Sequence, residues 1–495
     1  MTPQENVLKI LHLNDLHSHF ENYPKIKRFF ADKSAGFSDV LRFDIGDNVD
    51  RSHALSEATL GQANVSLMNA LDLTAATIGN NEGLGLPKEK LDMLYANANF
   101  DVVLANLKDQ GRQPNWAVEK KRVTTSFGMV IDIFGLTAPY PLAYPPMGWD
   151  ILEPESVLAQ QLRESDADFT ILLSHLGWRF DEKAAMTFDN LNLILGAHTH
   201  HLYEYGKYIN DTMLAAAGRY GEYVGEVTLR FDDDFQCIQS EIMAEDVRHL
   251  SPLPGDKEWI QHQADQGHQL LRACQVAQLS QSLTNKLPEY AATQFVAGLM
   301  GDYYHVPAVI LNSGMIVEEI PQTLTLDDLH EILPHSIRMV KLTVTGAELQ
   351  DILGELYEVG SYLRTQRIVG MGFRGKQFGD IVTIGLTDDN GQLSYQNNPV
   401  VEHQTYIILV PDQYLFASYF PILKSSGSAE IQFPRFMREI VADDLTLHDN
   451  LWSKRDKTLK ERNIMAKVIP EEEKNYNKFP GEHVIVLDDV VTIGD

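Results

Sequence analysis

The chain has 495 residues, of which 41 are lysine or arginine and 69 are aspartate or glutamate, so its formal net charge is −28. This length exceeds what one hydrophobic core usually supports, and we therefore expect two domains. The acidic balance disfavours non-specific contact with nucleic acids and with anionic membranes. Nowhere does an uninterrupted apolar run of about 18 residues predict a membrane-spanning helix.

Only two cysteines occur, Cys237 and Cys274. Two thiols cannot build a disulfide framework or a thiolate metal site. The first residues, Met1 to Lys9, lack the basic and apolar regions of a secretory signal peptide. We therefore expect a cytoplasmic protein without a membrane partner.

From Val7 to about Asp246, short apolar strands alternate with helical stretches. Such alternation predicts a layered α/β domain with at least partly parallel strands. Helical spacing covers Ser56–Asn69 and Lys88–Asn97, and Thr212 to Phe231 is typical of a closing antiparallel pair. The predicted strands are Val7–Leu13, Val40–Ile45, Ala75–Ile78, Val102–Ala105, Met129–Leu136, Phe169–Leu173 and Leu191–Leu195.

The remaining sequence predicts a linker, a second domain and a tail. Leu250–Asp256 interrupts the periodicity, and Lys257–Leu279 then has the spacing of a long polar helix. After it, helical and strand patterns mix, as in an α+β domain. We place the first domain at residues 1–246, the linker at 247–280, the second domain at 281–445, and a tail without an assigned role at 446–495.

Five short segments rich in Asp, Asn and His each follow a predicted strand of the first domain. Residues just past the C-terminal ends of parallel strands meet at one edge of a sheet, so we expect these side chains to converge. Carboxylates, amide oxygens and neutral imidazoles are ligands for divalent cations. The segments are Asp15-Leu16-His17, Gly46-Asp47-Asn48, Gly79-Asn80-Asn81-Glu82, Ser174-His175 and Gly196-Ala197-His198-Thr199-His200-His201.

Together these segments predict a hydrolytic site with two metal ions. Asp47 is the natural bridge, because each of its oxygens can take one cation. Such a pair of cations clamps phosphoryl oxygens and lowers the pKa of a bound water, so that hydroxide attacks in line. This chemistry favours hydrolysis of a phosphoester. The ligand types suit Mn, Zn, Fe and Co alike, so the identity of the metal stays open.

The motifs resemble those of the calcineurin-like metallophosphoesterase superfamily and, within it, the 5′-nucleotidase and UDP-sugar hydrolase family. The resemblance rests on Leu13-Asn14-Asp15-Leu16-His17-Ser18-His19, Asp44-Ile45-Gly46-Asp47, Gly79-Asn80-Asn81-Glu82, Ser174-His175 and Gly196-Ala197-His198-Thr199-His200, and in the second domain on Leu311-Asn312-Ser313-Gly314 and Leu333-Pro334-His335. It implies a four-layer α/β/β/α metallophosphoesterase domain followed by an α+β 5′-nucleotidase C-terminal domain. It also implies the metal ligands: Asp15, His17, Asp47 and His200 for the first ion, and Asp47, Asn80, His175 and His198 for the second.

The chain departs from this family in the third motif, where members usually have Gly-Asn-His-Glu-Phe-Asp. Here Asn81 and Leu84 stand in place of the His and the last Asp. In the family that His is thought to stabilise the transition state or to protonate the leaving group. An amide cannot act as a general acid, and loss of proton transfer costs roughly 10²–10⁴ in rate unless another group substitutes.

Several residues near the motifs are candidates for the missing role. His53, His201 and His19 could donate a proton, and we favour His53 because it follows the predicted bridging Asp47 closely. His201 could instead orient a neighbouring ligand. Arg51 could contact a phosphate oxygen with both arms of its guanidinium.

The second domain also departs from the family pattern. Members follow the Asn-x-Gly stretch with an Arg that meets the substrate phosphate, whereas Met315-Ile316-Val317 follows here. The family clamps a nucleobase between two aromatic side chains, and stacking of a base is worth roughly 1–3 kcal/mol. The resemblance thus makes Asn312, Phe373 and Tyr414 the expected substrate contacts, although aromatic side chains in such segments often pack in the core.

These features favour a phosphohydrolase with two metal ions that cleaves phosphate from small nucleotides, as a 5′-nucleotidase does. The close alternative is a cyclic-nucleotide phosphodiesterase or a nucleotide-sugar pyrophosphohydrolase, because a better leaving group suffers less from the missing His. A third alternative is a nucleotide-binding sensor whose chemistry has decayed, as Asn81, Leu84 and Val317 would allow. The sequence leaves the oligomeric state open.

Overall fold

The computed structural model describes residues 6–366, 372–389, 392–447 and 466–468. The chain divides between Gly267 and His268 into two compact units. Most of the predicted tail at 446–495 lies outside the described residues. Within the described ranges, no helix is both long enough and apolar enough to cross a lipid bilayer.

The first unit contains the alternating strands and helices that the sequence predicts, and each of the seven predicted strands is present with its ends shifted by a few residues. Its elements are β1 (Asn6–Leu13), α1 (Tyr23–Ser34), β2 (Asp39–Asp44), α2 (Ala54–Thr59), α3 (Gln62–Asn69), β3 (Ala75–Ala76), α4 (Asn80–Gly85), α5 (Lys88–Leu94), β4 (Asp101–Val103), β5 (Leu107–Lys108), β6 (Ala117–Val118), β7 (Lys120–Thr124), β8 (Val130–Thr137), β9 (Asp150–Ile151), α6 (Pro154–Glu164), β10 (Phe169–His175), α7 (Trp178–Thr187), β11 (Leu193–Gly196), β12 (Lys207–Ile209), β13 (Thr212–Ala215), β14 (Tyr223–Phe231) and β15 (Cys237–Asp246).

Two sheets form the centre of this unit. One has the strand order β15-β14-β1-β2-β3-β4-β6 and the other the order β12-β13-β11-β10-β8-β7. They share one apolar core, to which Ile10 and Phe43 contribute from the first sheet and Ile133 and Ile171 from the second. Strands β1 to β4 run parallel, as do β8, β10, β11 and β13. All of these strands therefore carry their C-terminal ends to the same edge of their own sheet.

Helices cover the outer faces of the two sheets. Leu158 of α6 and Ala184 of α7 pack with Phe134 and Leu172 of the second sheet in a separate apolar cluster. On the outer side of the first sheet, Leu11 is fully buried, as are apolar residues of α1 and α3. The expected α/β/β/α order is thus confirmed.

Residues 212–231 do not form the antiparallel pair that the sequence predicted. Strand β13 pairs in parallel with β11 in the second sheet, whereas β14 pairs antiparallel with β1 in the first. Between them, Gly218, Tyr220 and Gly221 have φ of 70°, 61° and 60°. This turn of left-handed residues carries the chain from one sheet to the other.

Three predicted helices are shorter than expected, and α5 ends at Leu94 where the prediction ended at Asn97. The stretch 56–69 forms α2 and α3 instead of one helix, because Leu60 and Gly61 have left-handed φ of 48° and 85°. The helix predicted over 257–279 is α8 (Asp256–Arg272), and the residues after it form the strand β16 (Gln275–Leu279). The pairing of β16 with a neighbouring strand overrides the helical spacing there.

The second unit is an α+β structure, as predicted. After β16 its elements are α9 (Ala291–Tyr304), β17 (Val309–Asn312), β18 (Thr323–Thr325), α10 (Leu326–Ile332), β19 (Met339–Thr345), α11 (Gly346–Leu363), β20 (Ile381–Ile384), β21 (Leu386–Asp389), β22 (Gln392–Tyr395), β23 (Asn398–Pro399), β24 (Thr405–Pro411), α12 (Gln413–Phe416), α13 (Pro421–Ser425), β25 (Ser428–Ile431), α14 (Met437–Leu447) and β26 (Ala466–Val468). A mixed sheet of order β20-β17-β24-β19-β25 shares one core with α9, α11 and α14.

Candidate active site

The predicted ligand segments meet where the parallel strands of the first unit end. The loops after β1 and β2 are joined by backbone hydrogen bonds, from the Asp15 N–H to Gly46 O at 3.0 Å and from the His17 N–H to Asp47 O at 2.8 Å. His175 is the last residue of β10, and His198 and His200 follow β11. The strand-end rule therefore accounts for the position of the site.

Several of the predicted ligands have an unusual backbone conformation. The φ angles are 50° at Asp15, 49° at His17, 51° at Asp47, 72° at His198 and 54° at His200. Residues with a side chain rarely adopt this left-handed region, although Asn, Asp and His do so more often than others. Such conformations persist where the surrounding structure imposes them, and they cluster at functional sites.

Asp15, His17 and His200 form one group of potential metal ligands. Nε2 of His200 lies 3.5 Å from Oδ1 of Asp15 and 3.1 Å from Nε2 of His17. Nε2 of His17 is 3.8 Å from the same Asp15 oxygen. One ligand atom from each residue lies within 4.8 Å of the others, so a single cation could contact all three.

Asp15, Asp47 and His175 form a second, fully buried group. Nε2 of His175 is 3.4 Å from Oδ2 of Asp47, and Nε2 of His17 is 3.8 Å from the same oxygen. Asp47 therefore lies between an imidazole of each group. This is the position that a bridging carboxylate requires.

Asn80 and His198 border the second group. The backbone N–H of His198 donates to both carboxylate oxygens of Asp15, at 3.2 and 3.1 Å. The ring centroids of His198 and His175 are 5.2 Å apart. The side-chain amide of Asn80 donates to Oδ1 of Asn81 at 3.2 Å. The structure thus gathers the predicted ligands at one end of the first unit.

The donor set fits divalent cations. Oδ1 of Asn80 and Nε2 of His175 are buried and make no hydrogen bond among the described residues. Buried polar atoms without a partner are uncommon and cost free energy. Burial lowers the pKa of His198 and of His200 to about 4, so both rings are neutral at pH 7 and present a lone pair. Cations at this site would satisfy the unpaired atoms and balance the buried carboxylates.

The two carboxylates differ in their electrostatic surroundings. Burial raises the pKa of Asp15. Burial acts on Asp47 in the same direction, but the imidazoles of His175 and His17 outweigh it and hold the pKa of Asp47 well below its usual range. Asp47 consequently keeps its negative charge in the interior of the site.

Asn81, which replaces the family's His, points towards the predicted ligands. Its Nδ2 lies 2.9 Å from Nδ1 of His17 and 3.4 Å from Oδ2 of Asp50. Its backbone N–H donates to Oδ1 of Asp47 at 2.7 Å. Asn81 therefore contacts two of the residues predicted to hold the metals.

The contacts of Arg51 and His53 differ from those that the sequence predicted. Nε and one terminal nitrogen of Arg51 bind the carboxylate of Glu57 at 2.7 and 3.0 Å, and its side chain is 3% exposed. The bidentate contact expected with phosphate is thus made with Glu57. Nδ1 of His53 accepts from the backbone N–H of Leu55 at 3.2 Å and caps α2, while the ring packs on Phe20.

His201 lies beside His200 but is set into the protein. Its Nδ1 is 2.9 Å from the Thr199 hydroxyl, and its ring packs against Tyr203. Burial lowers the pKa of His201 to about 4. At pH 7 the ring is therefore neutral, which is unfavourable for a general acid.

The predicted substrate contacts of the second unit lie in its interior. Tyr414 and Asn312 are 1% and 0% exposed, and the Tyr414 hydroxyl donates to Oδ1 of Asn312 at 2.9 Å. Phe373 is 5% exposed and stacks on His335 at a centroid distance of 4.7 Å. Side chains enclosed in this way present no face for stacking on a nucleobase in this conformation, and their role as substrate contacts stays a prediction.

Two residues near the ligands were not singled out from the sequence. The Tyr140 hydroxyl lies 3.4 Å from Nε2 of His198, and a terminal nitrogen of Arg219 lies 3.3 Å from Nδ1 of His200. Tyr140 is in the loop after β8, and Arg219 is in the turn after β13. Both follow parallel strands of the second sheet, so the strand-end rule applied to every strand would have indicated them.

Comparison with known proteins agrees with this geometry. Residues 8–202 match the family model of the calcineurin-like phosphoesterases. An uncharacterised metallophosphoesterase of Bacillus subtilis, YunD, is 33% identical over 458 residues, which are 88% of this chain and 98% of that protein. The 5′-nucleotidase of Mus musculus is 23% identical over 280 residues, 47% of this chain and 48% of the relative.

A crystal structure shows the same fold. The 5′-nucleotidase precursor from Thermus thermophilus aligns over 88% of this chain and 96% of its own, with 19% identity and a TM-score of 0.53. The family model and the relative from Bacillus subtilis agree with the ligand groups at the strand ends. The chain therefore belongs to the calcineurin-like metallophosphoesterases and is a hydrolase of phosphoric esters.

Proposed function

We propose that this enzyme removes phosphate from nucleoside 5′-monophosphates with the help of two divalent cations. The observation that carries the proposal is the position of Asp47 between His17 and His175, at 3.8 and 3.4 Å. Asp15, His17, Asp47 and His200 would hold one cation, and Asp47, Asn80, His175 and His198 the other. Cations bound there would polarise the phosphoryl group and acidify the attacking water.

The residues of the chain itself prepare the site for this reaction. The neutral rings of His198 and His200 offer lone pairs at pH 7. Nδ1 of His175 lies 2.7 Å from the carbonyl oxygen of Ile45. Only an N–H can donate to that oxygen, so Nδ1 carries a proton, and Nε2, which faces Asp47 at 3.4 Å, is the nitrogen that would bind a cation after losing its own proton.

The nucleotide substrate is proposed from the similarity to the mouse 5′-nucleotidase. We assign the chemistry to the first domain, residues 1–246, and recognition of the nucleoside to the second, residues 281–445. Recognition by the second domain would use groups other than the enclosed Tyr414 and Asn312.

The test is phosphate release from a nucleotide panel by protein freed of metal and then supplied with Mn²⁺, Co²⁺, Zn²⁺ or Mg²⁺. We expect activity only with metal, and loss of it in Asp47→Asn. The matched control is Asp72→Asn. The side chain of Asp72 is 78% exposed, and within the described residues its one ion pair is with Arg42 at 3.7 Å. No phosphate release with any metal or nucleotide would defeat the proposal.

A second candidate activity is hydrolysis of a phosphodiester or pyrophosphate. Its support is the side chain of Asn81, which cannot give a proton to a nucleoside alkoxide. A pyrophosphate releases a phosphate group, and a diester of an acidic alcohol releases a stable anion, so neither leaving group needs such a proton. A nitrophenyl phosphate cleaved much faster than every nucleoside monophosphate, together with turnover of a cyclic nucleotide or nucleotide sugar, would favour this candidate.

A further inference from the structure

Arg219 lies beside the predicted ligand His200, in the turn between β13 and β14. One of its terminal nitrogens is 3.3 Å from Nδ1 of His200, and its Cζ lies 4.5 Å from the ring centroid of Tyr220. The Tyr220 ring in turn contacts His17 edge to face at 5.8 Å. Arg219 is itself exposed, so its guanidinium stands where the ligand group meets solvent.

Arg219 forms no ion pair within the part of the chain that the structure describes. The chain has 69 acidic and 41 basic residues, so carboxylates are plentiful, and several arginines of the same unit are paired with one. In the same unit, Arg51 binds Glu57, Arg122 binds Asp132 and Arg248 binds Asp246. Arg219 therefore keeps N–H donors that two oxygens of a phosphate group can use.

The contact with His200 depends on the proton position of that ring. Arginine only donates, so Nδ1 of His200 must accept and the ring proton must be on Nε2. Yet Nε2 is the atom that faces Asp15 and His17, at 3.5 and 3.1 Å. A ligating nitrogen needs its lone pair, which moves the ring proton to Nδ1. With a cation on Nε2, Arg219 would therefore lose this acceptor, and the N–H that donates to it would be available to another.

We propose that Arg219 binds a non-bridging phosphate oxygen of the substrate in the metal-loaded site. The proposal deepens the proposed function and rests on it. It also supplies a phosphate contact in place of the two that the sequence comparison considered, Arg51 and an arginine after the Asn-x-Gly stretch. Arg51 is paired with Glu57, and the second-domain segment Met315-Ile316-Val317 carries no arginine.

The test is binding of inorganic phosphate to the full-length, metal-loaded protein, measured by calorimetry and by competitive inhibition of nitrophenyl phosphate hydrolysis. For Arg219→Ala we expect phosphate affinity to fall about ten- to a hundredfold, as for loss of a hydrogen bond to a charged group. Arg219→Lys should recover part of the loss, because lysine keeps the charge without the planar fork.

The matched control is Arg248→Ala. Arg248 also lies over a tyrosine ring, that of Tyr223 at 5.2 Å, but it is paired with Asp246. We expect its phosphate affinity to equal that of the wild type. Metal content of every variant is measured by mass spectrometry, and folding by the melting temperature.

Two results would overturn the inference. One is unchanged phosphate affinity in a metal-loaded Arg219→Ala protein. The other is loss of metal from that variant, since Arg219 would then act by holding His200. These results are distinguishable from failure of the proposed function. If only the proposed function is wrong, no nucleoside monophosphate is hydrolysed, but phosphate affinity still falls in Arg219→Ala.

Discussion

The side-chain amide of Asn81 lies 2.9 Å from Nδ1 of His17, and Nδ1 of His17 is also 3.7 Å from Oδ2 of Asp50. A ligating imidazole usually bonds through its second nitrogen to a group that fixes its orientation and tautomer. The carboxylate of Asp50 can accept the Nδ1 proton of a ligating His17, and the side-chain amide of Asn81 donates to that carboxylate at 3.4 Å. The residue that replaces the family's His is therefore placed to position a ligand, and it cannot supply a proton.

We expect Asn81→Ala to weaken metal binding about ten- to a hundredfold, the usual effect of losing a group that orients a ligand. The measurement is a calorimetric titration of metal-free protein with Mn²⁺. Asn99→Ala is the control, since Asn99 is exposed and bonds only to Asn69 among the described residues. Equal affinities of both variants would show that Asn81 does not position His17.

Gly79 leaves no room for a side chain next to the predicted bridging ligand. A Cβ at this position would lie 2.0 Å from Oδ1 of Asp47 and 2.5 Å from Cε1 of His175. Gly79→Ala must therefore displace both residues, and we expect loss of activity and of about one bound metal ion per chain. A Cβ at Gly85 would meet nothing within 4 Å, so Gly85→Ala should retain activity and metal. Activity in Gly79→Ala would contradict the geometry of Asp47.

The ligand positions were predictable because they follow from local pattern and strand direction. Asp15 and His17 directly follow β1, a strand that its apolar residues reveal, and parallel strands that run in one direction end at one edge of the sheet. The same rule would place Arg219 at this edge if β13 were known to run parallel to β11. The sequence instead suggested that residues 212–231 form an antiparallel pair. The parallel pairing of β13 with β11 in the second sheet decides that direction.

Burial and pairing were not predictable in the same way. The sequence indicates that Arg51 is a phosphate contact, but in the structure it binds the carboxylate of Glu57, six residues further along the chain, at 2.7 Å. Tyr414 and Asn312 are 102 residues apart in sequence and meet only after the second unit has folded. Such contacts depend on tertiary packing, which short sequence motifs do not predict.

Asp132 ties β8 to the edge strand β7. It accepts hydrogen bonds from Arg122 at 2.7 Å and from Ser165 at 2.7 Å, and Lys120 is 3.1 Å away. Burial raises the pKa of Asp132, but these three groups outweigh burial and lower the pKa to about 2. The unfolded value is about 3.9, so this stabilisation is present above pH 4 and is lost as the pH falls towards 2.

Asp132→Asn should therefore lower the free energy of unfolding at pH 7. We expect about 1 kcal/mol after allowing for solvent screening, because Arg122 and Lys120 are partly exposed. Urea unfolding at pH 7 and pH 3 measures the effect, and the difference from wild type should shrink at the lower pH. Asp233→Asn, in an exposed loop, is the control. A difference that does not change with pH would rule out the ion pair as its cause.

The hydroxyl of Tyr414 belongs to a buried chain of hydrogen bonds in the second unit. It donates to Oδ1 of Asn312, whose Nδ2 donates to the carbonyl oxygen of Phe378 at 2.6 Å. Tyr414→Phe leaves Oδ1 of Asn312 unpaired, so we expect a loss of about 1–3 kcal/mol in the free energy of unfolding and an unchanged KM for nucleotide. Tyr362→Phe is the control, because Tyr362 is 70% exposed. A raised KM with an unchanged free energy of unfolding would instead show that Tyr414 contacts the substrate.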